Sequence, residues 1–181
     1  MNTKTRETTD DLDRVDGKAE VVGGEVVTMS PTGGLPGWAG DLIFASLLEH
    51  RRRTKVGWPV SDNKAFRVDL PGRGSFSPDA AYYFGDPPSM DFYDGAPAFA
   101  AEVRSRGDYG PAAEISLAEK RRDYFAAGTL VVWDVDLLSD DVVRVHRANT
   151  PGVVTVYHRG ESAEAEPAVP GWSMPVDDMF A

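Results

Sequence analysis

Between Lys64 and Leu70, the residues Ala65, Arg67 and Asp69 alternate with Phe66, Val68 and Leu70. That period of two belongs to a strand with one face covered. Ala19 to Val22 and Glu25 to Met29 flank Gly23-Gly24 and read as a strand–turn–strand unit. From Trp38 to about Arg53 the apolar positions Leu42, Ile43, Leu47 and Leu48 recur at helical spacing, after a loop over PTGGLPG, Pro31 to Gly37. Strands are expected at about Pro78 to Phe84 and Ala98 to Ser105, the first preceded by a turn at PGRG, Pro71 to Gly74. Pro111 to Ala127 is the clearest helix, with proline in its first turn and Gly128 just past its end. Leu130 to Leu137 (LVVWDVDL) is apolar enough for a central strand, and Asp141 to Ala148 with Val153 to Arg159 forms a hairpin.

The order of these elements predicts an α/β fold, a mixed sheet flanked by two main helices, in one domain over residues 19–181. Residues 1–18 are polar and without period, and read as a flexible arm. The loop Asp86 to Pro97 carries Met90, Phe92 and Tyr93, which either fold back over their own core or meet a second copy of the chain. After Gly160 the tail is acidic and loosely patterned, with Trp172 and Phe180 expected to dock.

A length of 181 residues suffices for one substantial core without disulfides, and the lack of cysteine excludes thiolate chemistry. No secretory leader and no apolar run of membrane-spanning length is visible, so a cytoplasmic location is expected. The net charge of −10 argues against coating nucleic acid by bulk electrostatics. Basic residues nevertheless cluster at Arg51, Arg52, Arg53 and Lys55, at Arg104 and Arg106, and at Lys120, Arg121 and Arg122. Only a fold that gathers these clusters would make them a phosphate-facing rim.

The candidate chemistry lies on two strands. Asp79 follows Pro78 at a strand start, and Glu102 stands in FAAEVRS among apolar neighbours, where an unpaired carboxylate is costly to bury. Adjacent strands run about 4.8 Å apart, so the two carboxylates can share one hard divalent cation if the register allows. Arg104, two residues beyond Glu102, leaves the same face about 7 Å further along the strand. The plain alternatives are a strand-entry role for Asp79 and a salt bridge from Glu102 to Arg104. Lys120 shares a helix face with Leu117 and Tyr124, so it either snorkels over apolar surface or aims at the carboxylates. His50, His146 and His158 have no metal-ligand spacing, and Asp134 and Asp136 read as strand-end carboxylates.

Pro78-Asp79, then EVRS from Glu102, then EKRRDYFAAGTLVVWDVD from Glu119 to Asp136, resembles the Uma family of restriction endonucleases, a branch of the PD-(D/E)XK nuclease superfamily. The resemblance runs from about Gly24 to Arg147. It implies a restriction-endonuclease-like mixed sheet, a Mg²⁺ (or Mn²⁺) centre acting on DNA, and frequent homodimers. Carried onto this chain, Asp79 and Glu102 would be metal ligands, and Lys120 the signature lysine moved from strand to helix. Glu25 in GGEVVTMSP would be an acidic residue near the site, or else a surface charge of the hairpin. Two positions depart from the pattern. GWAGD, Gly37 to Asp41, lacks the family's frequent early-helix histidine, and Arg104 stands at the superfamily's strand lysine. Arginine can hold a phosphate but cannot serve as a general base. The expected function is DNA phosphodiester hydrolysis, with Lys120 positioning or helping to deprotonate water and Arg104 on the phosphate. The rivals are an inactive nuclease fold serving as a nucleic-acid-binding or assembly module, and the hydrolysis of a smaller phosphoester.

Overall fold

The computed structural model describes residues 7–181. A 3-10 helix at Thr9–Arg14 precedes the hairpin β1 (Ala19–Val22) and β2 (Glu25–Thr28), which leads into helix α1 (Gly34–Thr54). Then come β3 (Trp58–Ser61), β4 (Phe66–Leu70), β5 (Arg73–Phe76), β6 (Ala80–Tyr83), the short β7 (Tyr93–Asp94) and β8 (Phe99–Val103). Helix α2 (Pro111–Ala126) connects β8 to β9 (Val131–Val135). The strands β10 (Val143–Arg147), β11 (Val154–Tyr157), β12 (Ser162–Glu164) and β13 (Ser173–Pro175) follow, and a 3-10 helix at Val176–Phe180 ends the described chain.

The central sheet has the order β11-β10-β9-β8-β6-β3. It is mixed: β8 and β9 run parallel, as a helical crossover requires, and its other pairs are antiparallel. All five residues of β9 are buried, which is what a strand covered on both faces needs and why its sequence is nearly continuous in apolar residues. A second sheet, β2-β1-β5-β4-β7, packs beside it. The period of two along β8 divides the core. Phe99, Ala101 and Val103 join Ile43 and Leu47 of α1 and the C-terminal tail on one face. Ala100 joins Tyr124 of α2 and Phe76 of β5 on the other. Glu102 therefore points to the α2 side, among groups that exclude water.

Several expectations are corrected by this packing. PTGGLPG is not all loop: α1 begins at Gly34, with Pro36 in its first turn, where a missing N–H matters least. Residues 7–18 do not trail as an arm, because the 3-10 helix buries Leu12 against Ala19 and Val21; residues 1–6 lie outside the described chain. In the Asp86–Pro97 loop, Tyr93 stacks on Phe66 with ring centroids 5.0 Å apart, and Phe92 packs on the Leu12 cluster. Only Met90 of the three faces outward, so the apolar loop argument for a homodimer loses two of its residues. Among the described residues no helix is long and apolar enough to cross a membrane.

The tail is a structural part of the core. Trp172 stacks on Trp133 with centroids 5.0 Å apart, meets Phe99 at 5.4 Å, and donates its indole N–H to Ser46 Oγ at 3.0 Å. Trp172→Ala should lower stability by about 3–5 kcal/mol, since little nearby can collapse into the space. Chemical denaturation measures this, and a loss below 1 kcal/mol would mean that the tail is not an integral layer.

Candidate active site

Strand register sets the centre. Ala80 of β6 pairs with Ala101 of β8, so the antiparallel ladder continued by one residue sets Asp79 opposite Glu102. Asp79 extends that ladder itself: its N–H donates to the Ala101 carbonyl at 3.1 Å, and its Oδ2 accepts the Val103 N–H at 2.7 Å. Helix α1 closes over this point at Gly40, where an added Cβ would stand 3.5 Å from the Asp79 Cβ. The α1 backbone at GWAGD thus packs close against the aspartate.

Glu102 is gripped from α2. Lys120 Nζ lies 2.8 Å from its Oε1 and 2.9 Å from its Oε2, and the Tyr124 hydroxyl donates to Oε1 at 2.6 Å. Lys120 and Tyr124 are four residues apart on one helix face, which is how one carboxylate receives both. The structure thus places Asp79, Glu102 and Lys120 around one point. It adds residues that sequence reading passed over. Glu20 of β1 is buried, with Oε1 on Lys120 Nζ at 2.9 Å and on the Ser77 N–H at 2.8 Å, while Oε2 accepts from Arg73 at 2.8 Å. Lys18 lies 2.7 Å from Asp79 Oδ1 and 2.7 Å from Asp62 Oδ1. A glutamate among apolar residues, AEVV, was the same signal that singled out Glu102, and it was present at Glu20. Lys18 and Arg73 carried no such signal, one ending a polar run and the other sitting in the PGRG turn.

Glu25, assigned near the site by family resemblance, is instead exposed at the turn end of the outer strand β2; the acidic residue that reaches Lys120 is Glu20. Arg104 does not reach the centre either. Its guanidinium is bound by Asp134 at 2.7 Å through Nε and Nη2, and by Glu114, with the Tyr109 ring beside it. Its donors are taken by these two carboxylates and by the Asp108 carbonyl, which makes it a structural cation beneath α2 and not a group presented to phosphate. The three basic clusters do not converge. Arg51 is eleven residues beyond Gly40 along α1, about 16 Å at the helical rise, and lies over Trp58.

The electrostatics follow from this enclosure. Burial alone would raise the pKa of Glu20, but Lys120 and Arg73 hold it below the ordinary carboxylate range. Glu102 is pushed up by burial, and by Asp79 and Glu20, against the pull of Lys120. Burial disfavours charge on Lys120, yet Glu102 and Glu20 outweigh it and raise its pKa. Lys120 is therefore a fixed ammonium: it donates and neutralises, and it is not poised to take a proton from water at neutral pH. The two carboxylates do not lack local positive charge, as Lys18 and Lys120 stand against them.

The donors suit a hard cation, whose remaining positions water and substrate ordinarily fill. Among the described residues no group of three or more His, Cys, Asp or Glu is disposed to hold a metal ion. Asp79 and Glu102 fit a cation as a pair of oxygen donors, with the Lys18 ammonium at the Asp79 oxygen such a cation would use.

Beyond Arg104 lies His146, 8% exposed on β10, whose Nε2 has no hydrogen-bond partner among the described residues. Burial first, then the charge of Arg121, brings its pKa down to about 4, with Arg144 and Arg104 adding to the effect and Asp134 opposing it. The folded chain keeps this histidine neutral while the unfolded chain titrates near 6.5. Its contribution is complete above that pH and is lost as pH falls towards 4. Replacing it with a neutral residue, His146→Gln, should flatten the stability curve between these values by at most about 3 kcal/mol. Urea denaturation across pH 4–7 measures this, and parallel curves would contradict it.

Comparison with known proteins bears on the family and the fold. The sequence matches the Uma2 family, described as "Putative restriction endonuclease", over residues 6–177. No curated protein matches it. Among solved structures, the fold is similar to that of a "putative nuclease belonging to DUF820" from Anabaena variabilis ATCC 29413. The TM-score is 0.72 at 14% identity, covering 96% of this chain and 97% of that one. At that identity the likeness speaks for the fold, an α/β arrangement of mixed sheets flanked by helices. The family match spans nearly the whole chain, and the protein belongs to the Uma2 family of restriction-endonuclease-like proteins.

Proposed function

We propose that the chain is a divalent-metal-dependent endonuclease that hydrolyses DNA phosphodiester bonds. The observation that carries this reading is the placement of Asp79 opposite Glu102 on adjacent strands, with the Lys120 ammonium delivered from α2 onto Glu102. Asp79 and Glu102 would hold Mg²⁺ or Mn²⁺. When bound, the cation supplies Lewis acidity at the phosphoryl oxygen. Val103 N–H fixes the orientation of Asp79, and the Tyr124 hydroxyl fixes that of Glu102. Glu20, held by Arg73 and the Ser77 N–H, holds Lys120 from behind, so its charge is in place before substrate arrives. Lys120 then neutralises charge that develops on the phosphate and orients water, without acting as the base.

A second reading, a nuclease fold that binds nucleic acid or assembles without cutting, is favoured by the engagement of Arg104 with Asp134 and Glu114. Nicking of supercoiled plasmid separates the two. The wild type should nick in Mg²⁺ or Mn²⁺ and not in chelator, and Glu102→Gln should abolish the activity. Tyr124→Phe, which removes only the hydroxyl that orients Glu102, should lower activity or metal affinity by about 10–100-fold. A wild type that retards DNA in a gel but never cuts it would establish the second reading.

Lys120 carries a stability role as well. Lys120→Ala leaves Glu20 and Glu102 buried against each other without their shared cation. It should cost about 3–5 kcal/mol in denaturant unfolding, the range for breaking a buried ion pair from one side. A loss under 1 kcal/mol would show that Lys120 is not the common counter-ion.

A further inference from the structure

The remaining feature is a lysine where the cation reading places a metal. Lys18 and Asp79 are each 13% exposed in their side chains, while Asp62, the second acceptor of the same ammonium, is 39% exposed. The lysine backbone is anchored, since its carbonyl accepts the Met29 N–H at 2.9 Å, and Gly17 before it has a φ of 98°. The long side chain can therefore move while the main chain stays. Lys120, in contrast, is held by both oxygens of Glu102 and by Glu20, and has no solvent-side acceptor among these contacts. The Asp79 carboxylate would keep its orientation if Lys18 left, because its Oδ2 remains on the Val103 N–H. Lys18 stands on the one Asp79 oxygen that the backbone leaves open, so a cation taking that oxygen has to displace it, whereas Lys120 reaches Glu102 from the α2 side.

Resting on the cation reading above, we propose that Lys18 is a tethered occupant of the metal position, bridging Asp79 and Asp62 until a divalent cation displaces it from Asp79 and leaves it on Asp62 alone at the rim. Lys18 sets the apparent affinity of the site, since only the fraction of molecules with Asp79 released can take the ion. It also preserves the folded centre without metal, by neutralising Asp79 beside Glu102. After the exchange, the same ammonium stands at the mouth of the centre, where an approaching phosphate would meet it.

The test is calorimetric titration of the full chain with Mn²⁺ alone, without nucleic acid. Lys18→Met should bind Mn²⁺ about tenfold more tightly than wild type, the gain expected when a competing state populated about nine parts in ten is removed. Lys18→Arg keeps a tethered cation and should not show the gain. Asp62→Asn removes the acceptor that takes the displaced ammonium and should weaken binding several-fold; it decides the matter alone if Lys18→Met does not fold. Unchanged or weaker binding in Lys18→Met, or unchanged binding in Asp62→Asn, overturns the exchange. If these variants match wild type while Glu102→Gln abolishes binding, the exchange fails and the proposed function stands. If no variant, nor the wild type, binds Mn²⁺, both fail.

Discussion

Three carboxylates, Glu20, Asp79 and Glu102, are folded into one enclosure, and the structure around them depends on how their charge is balanced. Each ion taken from water costs several kcal/mol even after relaxation, and the carboxylates repel one another besides. Lys120 answers two of them at once, Arg73 completes the pairing of Glu20, and Lys18 answers Asp79. Removing Lys120 or Lys18 takes the counter-ion from Glu102 or Asp79, and removing Arg73 leaves Glu20 with only Lys120 of these cations. The network is also what joins the layers. Glu20 and Arg73 come from the second sheet, Asp79 and Glu102 from the central one, and Lys120 from the helix between them.

That arrangement explains why a site of this kind can be rigid yet able to take a ligand. Glu102 is held by Lys120 and Tyr124, and Lys120 by Glu102 and Glu20, while the parallel β8–α2–β9 unit fixes the helix above the strand. A network held that firmly resists substitution, so under the proposed function a change at Lys120 would lower activity and stability together. Asp79 is different. One of its oxygens is fixed by backbone, and the other by a long side chain that also holds a second carboxylate, Asp62, at the rim. The adaptable position in the centre is therefore on the β6 side, and the fixed position on the α2 side. Arg104 belongs to neither: buried with Asp134 and paired with the exposed Glu114, it forms a separate group that ties α2 to β9.

Much of this was legible in the sequence wherever local pattern and tertiary packing agree. The apolar run of β9, the proline-to-glycine limits of α2 and the glutamate among apolar residues in β8 each state their environment directly. The pairing of Lys120 with the sheet face also followed from its spacing to Leu117 and Tyr124. Other parts were not legible. β3 contains Pro59, β5 contains Gly74, and β12 and β13 are three residues long, so these strands exist through distant pairing and not through their own pattern. The start of α1 was missed because its first turn is written in glycine and proline. Glu20 and Glu25 sit on one hairpin, and only the depth of the strand pair distinguishes them. Lys18 owes its role to Asp62 and Asp79, residues 44 and 61 positions away, a relation that no local window contains.

The account stands most directly on where a divalent ion sits and what it moves. Crystals grown without metal and then soaked in Mn²⁺ allow the ion to be located by its anomalous scattering. The account predicts one peak between Asp79 and Glu102, about 2.0–2.3 Å from an oxygen of each, the range of divalent-ion–oxygen bonds. Lys18 should have left Asp79 while keeping Asp62, and Lys120 should remain on Glu20 and Glu102. A Mn²⁺ peak away from these carboxylates, or no peak with the Lys18 ammonium still on Asp79 at saturating Mn²⁺, would contradict it.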